Sequence, residues 1–533
     1  MRRSIVPWVT LASLLLAGPP LAAQRGPAPA SPAVAGRVVN GLPVAGYPSV
    51  GQILLLDQGP ATCTGTLIGC GTVLTAAHCV CTDPKAGLLT GAQCGERADL
   101  LDPATKLVYF HHAGAFSVAS ILVHPAFVFG QASDLAVIRL GAPVTGVAPS
   151  SIDTTAKPGP GAAGVIVGFG LTEDPASAAG IKQAGDVVVA ACGAAGIDAA
   201  SHVCADLSAP LGAPGTDSGP CHGDSGGPLF VDLGAGPAIA GTVSGGDSRS
   251  FNCAPPEHLW FADVFRDRAW IQGAAGADLG TGACGGLPAA GGPDAPSAVA
   301  VGTLSPAHTS DTLPIAVPAG VARLRVGLTA ENIVGTHAAL YLRRGSPPTA
   351  ASFACKSTDG TGILAFCEVA APAAGTWYAL VDGGSGANGG AAGRYEVVTT
   401  LFSRPAAVPC APSATTLCID DQPGDRRFQI EVAFHTAQGG GASGPGHAVP
   451  LASLGVASGG LFWFFDPANP EMLIKVLNGC ALGGHYWVFS AAGTNVGLTT
   501  TVTDTQTGAA KTYTNPDRTP APPILDTSAL PCG

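Results

Sequence analysis

The octet Cys221-His222-Gly223-Asp224-Ser225-Gly226-Gly227-Pro228 sets the tightest limit on how this chain can fold. Glycine enters backbone regions closed to other residues, so three glycines and a proline around one serine force a sharp turn. Alone, the octet reads either as a tight surface turn or as a loop that presents a nucleophile. A serine hydroxyl attacks poorly until a base takes its proton and N–H donors await the oxyanion. The second reading therefore obliges the fold to carry a base and an acid to this turn from distant segments. Thr75-Ala76-Ala77-His78-Cys79 offers a histidine at the end of an apolar run, and Asp134-Leu135-Ala136-Val137-Ile138-Arg139-Leu140 puts a carboxylate at the head of an alternating, strand-like segment. A lone His or Asp is ordinarily structural. The order His, Asp, Ser is one of the few in which nucleophilic triads occur.

The rest of the chain has to be β structure. Among 533 residues, 75 are Gly and 46 are Pro, and only 11% are charged, which excludes helical bundles and coiled coils. The length suits about three domains. A net charge of −11 without a basic stripe excludes an electrostatic nucleic-acid partner. Arg2 and Arg3, an apolar run from Ile5 to Ala17 and then Leu21-Ala22-Ala23 read as a secretory signal over residues 1–23. No stretch of about 20 apolar residues suits a membrane span. Sixteen cysteines, all beyond the signal and without zinc-like His/Cys spacing, point to disulfides in an oxidising compartment and to no metal. The expected location is extracellular or periplasmic.

With these flanks the three segments resemble the trypsin-like serine peptidases over residues 38–273. The resemblance implies a chymotrypsin-like double β-barrel over residues 38–274, without cofactor, acting on protein or peptide substrates as a monomer. It gives His78, Asp134 and Ser225 the catalytic roles and makes the N–H groups of Gly223 and Ser225 the oxyanion hole. Gly36-Arg37-Val38-Val39-Asn40-Gly41 resembles an activation site. An activating protease would cut after Arg37, ending a propeptide over residues 24–37, and the freed Val38 amine would pair with Asp224. Family spacing pairs Cys63 with Cys79, Cys192 with Cys204, and Cys221 with Cys253; Cys81 with Cys94 and Cys70 with Cys284 are the remaining suggestions.

Ser244-Gly245-Gly246 resembles the strand that pairs with substrate, with Gly245 where the family usually has an aromatic, so looser packing is expected there. The residue six before the nucleophile is Gly219 rather than an aspartate, and Leu259 falls where relatives narrow the pocket. A neutral, small or apolar residue before the scissile bond is therefore expected. Asp217 would restore basic specificity if a shifted loop carried it in, and His222 or His258 would favour an acidic residue. Glu96, Asp99 and Asp102 read as a solvated loop rather than a calcium site, and His111-His112 as surface.

Residues 275–297 form a Gly/Ala/Pro-rich linker. Beyond it, Leu340 to Pro347, Cys355 with Cys367, and Gly375-Thr376-Trp377-Tyr378 resemble the bacterial pre-peptidase C-terminal domain, a small β-sandwich, over residues 298–403. Residues 404–533 are another β-rich module, with aromatic strands at Leu461–Phe465 and His485–Phe489 expected in its core and Cys410, Cys418, Cys480 and Cys532 free to make two bridges. The fold expected overall is all-β, a double barrel followed by two β-sandwich-like modules. The rival function is surface adhesion or substrate binding through residues 298–533, with proteolysis secondary.

Overall fold

The computed structural model describes residues 38–56, 62–83, 85–171, 178–193, 196–247, 251, 253–280, 282, 284–331, 338–357, 364–383, 393–403 and 409–532. The expected signal over residues 1–23 and the expected propeptide over residues 24–37, with Arg37, lie outside the described residues. From Val38 onward the described chain packs as one unit.

Its first part is two closed antiparallel barrels of six strands each. The first runs Val50–Leu55, Thr62–Gly69, Thr72–Thr75, Ala136–Leu140, Gly114–Val123, Lys106–Phe110 and back to the start. The second runs Gln183–Ala190, Ala163–Gly168, Pro228–Asp232, Pro237–Gly246, Glu257–Asp263 and His202–Leu207, closed by pairing Val189 with Ala205. Helix Val264–Ala275 follows, started by the Asp263 side chain accepting the Arg266 N–H. Its Ile271 is buried among residues of both barrels, such as Leu74, Leu135, Val167 and Phe230, so the helix seals the seam between them rather than packing on the second alone. Cys70–Cys284 ties the first barrel to the segment after this helix.

Two β-sandwiches complete the chain. One stacks Ser297–Leu304, Gly393–Ser403, Val321–Ala330 and Leu364–Ala370 on Ser310–Val317, Gly375–Asp382, Ala339–Arg344 and Cys355–Lys356. The other stacks a sheet around Phe428–Thr436 and Gly497–Asp504 on a sheet around Met472–Asn478 and His485–Ala492. Strand alternation decides the aromatic positions there. Phe462, Phe464 and Tyr486 fill the core, whereas Trp463, Trp487 and Phe489 stand half-buried on the opposite face.

Eight disulfides use all sixteen cysteines: the pairs named above, plus Cys410–Cys418 and Cys480–Cys532. Such a complement fits an extracellular protein. No helix among the described residues is long and apolar enough to cross a membrane.

His111 and His112 depart from expectation. Both are buried, at 1% and 0% exposure, because the first sandwich covers them: His111 Nε2 lies 3.0 Å from Thr329 Oγ1, and His112 Nδ1 lies 2.8 Å from Thr400 Oγ1. Of the acidic loop, Asp99 pairs with Arg97 and Asp102 caps the turn Pro103–Thr105.

Candidate active site

His78 sits on the short turn Ala77–Cys79, where strand Thr72–Thr75 ends, and Cys63–Cys79 fastens that turn to the neighbouring strand. Asp134 lies two residues before strand Ala136–Leu140, whose Ala136 pairs with Thr75. That register delivers the carboxylate to the histidine. Asp134 Oδ2 lies 2.7 Å from His78 Nδ1, and its Oδ1 accepts the His78 backbone N–H at 2.9 Å. Ser244 Oγ donates to the same Oδ2 at 2.6 Å. Asp134 is fully buried, and burial pushes its carboxyl up; the adjacent His78 and the hydrogen bonds from His78 and Ser244 outweigh this and hold it below the usual range. An ionised carboxylate only accepts, so Nδ1 carries the proton and Nε2 is left as a base.

The serine turn is clamped from three sides. Cys221–Cys253 closes its start, Thr64 N–H donates to Ser225 O at 2.8 Å, and Gly226 N–H donates to Val243 O at 2.8 Å. Gly226 has φ +81°, and a Cβ there would come within 2.0 Å of Thr75 Oγ1, so no other residue fits. Gly223 has φ +101°. Among the described residues the N–H groups of Gly223 and Ser225 donate to nothing, while the Gly223 carbonyl is held by Thr64 Oγ1 at 2.9 Å.

His78 and Ser225 line one cavity of about 270 Å³, together with His222, Ser244, Gly246 and Glu257. Gly219 and Leu259, expected to shape that pocket, are not on its wall. Gly219 exchanges backbone hydrogen bonds with Val39 at 2.8 and 3.2 Å and backs onto Leu207 and Leu259 within the second barrel. Asp217 is exposed and off the cavity, and His258 turns outward to pair with Asp206 at 2.6 Å, which raises its pKa. His222 lies on the rim, stacked on Phe251.

Glu257 was overlooked in the sequence. It is 5% exposed, and its Oε1 lies only 2.0 Å from where a Cβ on Gly246 would stand, so glycine at 246 is what admits the carboxylate. A signal existed. Glu257 is two residues before Leu259 on one strand, and a residue two places away faces the same side. Nor is the space beside Gly245 open: a Cβ there would meet Trp260 at 2.7 Å, so the indole supplies the aromatic bulk.

Val38 is fully buried in the second barrel. Asp224, 1% exposed, accepts the N–H groups of Gly170 at 2.7 Å and Cys221 at 2.9 Å. Burial pushes its carboxyl up to about 7, against the pull of those two donors.

Residues 38–271 match the Trypsin family model. With the two barrels, this supports a trypsin-like serine peptidase. The chain is 27% identical over 239 residues to the vitellin-degrading protease of Bombyx mori, covering 42% of this chain and 79% of that protein. It is 28% identical over 233 residues to trypsin alpha-4 of Lucilia cuprina, covering 42% and 82%. Each alignment covers less than half of this chain.

Proposed function

We propose that this chain is a secreted serine endopeptidase that works through an acyl-enzyme. The observation that carries the reading is the His78–Asp134 hydrogen bond of 2.7 Å at the edge of the cavity that Ser225 lines. His78 Nε2 takes the Ser225 proton as Oγ attacks the peptide carbonyl. The tetrahedral oxyanion is met by the N–H groups of Gly223 and Ser225, each such donor being worth about 2.7–4 kcal/mol. The imidazolium, steadied by Asp134, returns its proton to the leaving amine. Water then repeats the sequence on the ester and frees the second product.

Activation follows the cut after Arg37. A buried carboxyl pushed up to about 7 is poised to gain from a cation, and the Val38 amine would bring one. For the residue before the scissile bond, Glu257 changes the expectation. A lysine or arginine would no longer be buried unpaired, since a carboxylate stands on the pocket wall. We therefore read the pocket as basic-specific in place of neutral. Residues 298–403 are read as a pre-peptidase C-terminal-like sandwich, a view favoured by their two four-stranded sheets.

The test is cleavage of a peptide library by protein cut at Arg37, with Ser225→Ala and Glu257→Gln beside it. Cleavage after Lys or Arg, lost in Ser225→Ala and weakened by at least tenfold in Glu257→Gln, is the expected result. Cleavage after small apolar residues by both wild type and Glu257→Gln would return the pocket to the neutral reading. Turnover that survives Ser225→Ala would end the serine mechanism.

A further inference from the structure

The first sandwich reaches the serine turn through a short relay of buried contacts. Its strand Gly393–Ser403 places Glu396, fully buried, against the barrels. Glu396 Oε2 accepts the backbone N–H of Lys182 at 2.7 Å and lies 3.7 Å from His111 Nε2. The Lys182 side chain is fully buried too, and burial pushes its amine down to about 8 against the attraction of Glu396. The His111 ring lies flat on Phe169, centroids 5.6 Å apart and planes 14° apart. Phe169 is tied to the residues just before Lys182 by the Gly180 N–H, which donates to Phe169 O at 2.9 Å. Gly180 approaches the sandwich so closely that a Cβ would sit 2.5 Å from Ala330 O.

From Phe169 the contacts continue to the candidate oxyanion hole. The Phe169 N–H donates to Thr64 Oγ1 at 3.2 Å, and that hydroxyl donates to Gly223 O at 2.9 Å. The next two residues follow suit: Gly170 N–H donates to Asp224 Oδ1 at 2.7 Å, and Leu171 N–H to His222 O at 2.8 Å. Three consecutive N–H groups of this segment thus hold the residues that set the orientation of the Gly223 and Ser225 donors.

We propose that the sandwich of residues 297–403 is a built-in positioning element of the peptidase, with Glu396, acting through Lys182 and His111, fixing the segment that aims the oxyanion donors. Glu396 is a positioning residue and touches no substrate. The inference rests on the serine-peptidase reading above. A misplacement of about 1 Å at a catalytic group costs on the order of 100-fold in rate. Because the oxyanion forms only in the transition state, the loss falls on kcat rather than KM.

The experiment compares kcat and KM of full-length protein, cut at Arg37, for wild type, Glu396→Ala, Glu396→Gln and Arg325→Met. Glu396→Ala is expected to lower kcat roughly 10–100-fold with KM within about twofold. Glu396→Gln keeps an acceptor for the Lys182 N–H and is expected to recover most of that loss. Arg325 crosses the same interface by donating to Thr145 O at 2.6 Å and His112 O at 3.0 Å, and makes no hydrogen bond to Phe169 or Lys182. Its replacement should lower the thermal midpoint and leave kcat unchanged. Should Glu396→Ala not fold, Thr329→Val takes its place: it removes only the hydroxyl beside His111 and is expected to show the same split on a scale of about threefold. An unchanged kcat in a folded Glu396→Ala or Thr329→Val protein, beside an active wild type, overturns the proposal. So does an equal kcat loss in Arg325→Met, which would make the effect one of general docking. A cut wild type with no turnover overturns the peptidase reading, and this inference falls with it.

Discussion

Replacing Asp224 by Asn in the uncut chain tests the activation reading through stability, without any substrate. Asp224 is buried with two backbone N–H donors and a carboxyl pushed up to about 7 from an ordinary 3.8. The folded state therefore holds this proton more tightly than the unfolded chain. Below pH 3.8 both states are protonated and the group costs nothing. Between 3.8 and about 7 the unfolded chain gives up its proton first, so stability falls as pH rises; above 7 the full cost is in place. Three pKa units correspond to about 4 kcal/mol. Asparagine cannot titrate. Its amide will fit the two donors less well, but that offset is the same at every pH.

The assay is urea unfolding at pH 4.5, 6 and 7.5 of Ser225→Ala, which blocks self-digestion, and of Ser225→Ala/Asp224→Asn. The stability difference should move in favour of the Asn variant by a few kcal/mol across that window, with unchanged urea dependence. After cutting at Arg37 the slope should flatten or reverse, because a Val38 ammonium beside Asp224 lowers its pKa in the folded state. A difference independent of pH in the uncut pair would refute the buried, raised carboxyl. The same slope before and after cutting would refute the pairing with Val38.

Asp134→Asn should lower kcat by about 10⁴-fold, since Asn favours the wrong His78 tautomer, measured as single-turnover acylation of a peptide ester. Ser244→Ala removes a 2.6 Å donor to the same oxygen and should cost about tenfold in kcat, while raising the acid-limb pKa of the rate profile. Gly226→Ala forces a Cβ against Thr75 Oγ1 at positive φ and should destabilise the chain by about 2 kcal/mol or more, read as a lower urea midpoint.

What could be read from the sequence was local or ordered. The His78, Asp134 and Ser225 segments each carry their own flanks, and Arg323–Leu328 and Gly375–Val381 read as strand-like runs set between turn residues. The structure extends those two to Val321–Ala330 and Gly375–Asp382 and adds others, such as Ser297–Leu304. The pocket was less legible. Gly219 and Leu259 are placed at the pocket by family position, but the two pack on each other inside the second barrel, and on the same strand it is Glu257, two residues earlier, that reaches the cavity.

The interface was the least legible part, and for a physical reason. A face reads as solvent-exposed from sequence when it carries polar residues, and His111, His112 and Lys182 are polar. Burial of such groups is tolerable where partners of matching chemistry meet them, and here Thr329 and Thr400, which hold the two imidazoles, and Glu396, whose charge attracts the Lys182 amine, come from strands far along the chain. No window around His111 contains that information. The same polarity makes the interface specific: an apolar contact would tolerate sliding, whereas a buried carboxylate that accepts the Lys182 N–H at 2.7 Å fixes a single register. A sandwich docked by polar pairing is therefore suited to holding Phe169, Gly170 and Leu171 at a defined position, which is the property the proposed oxyanion donors require.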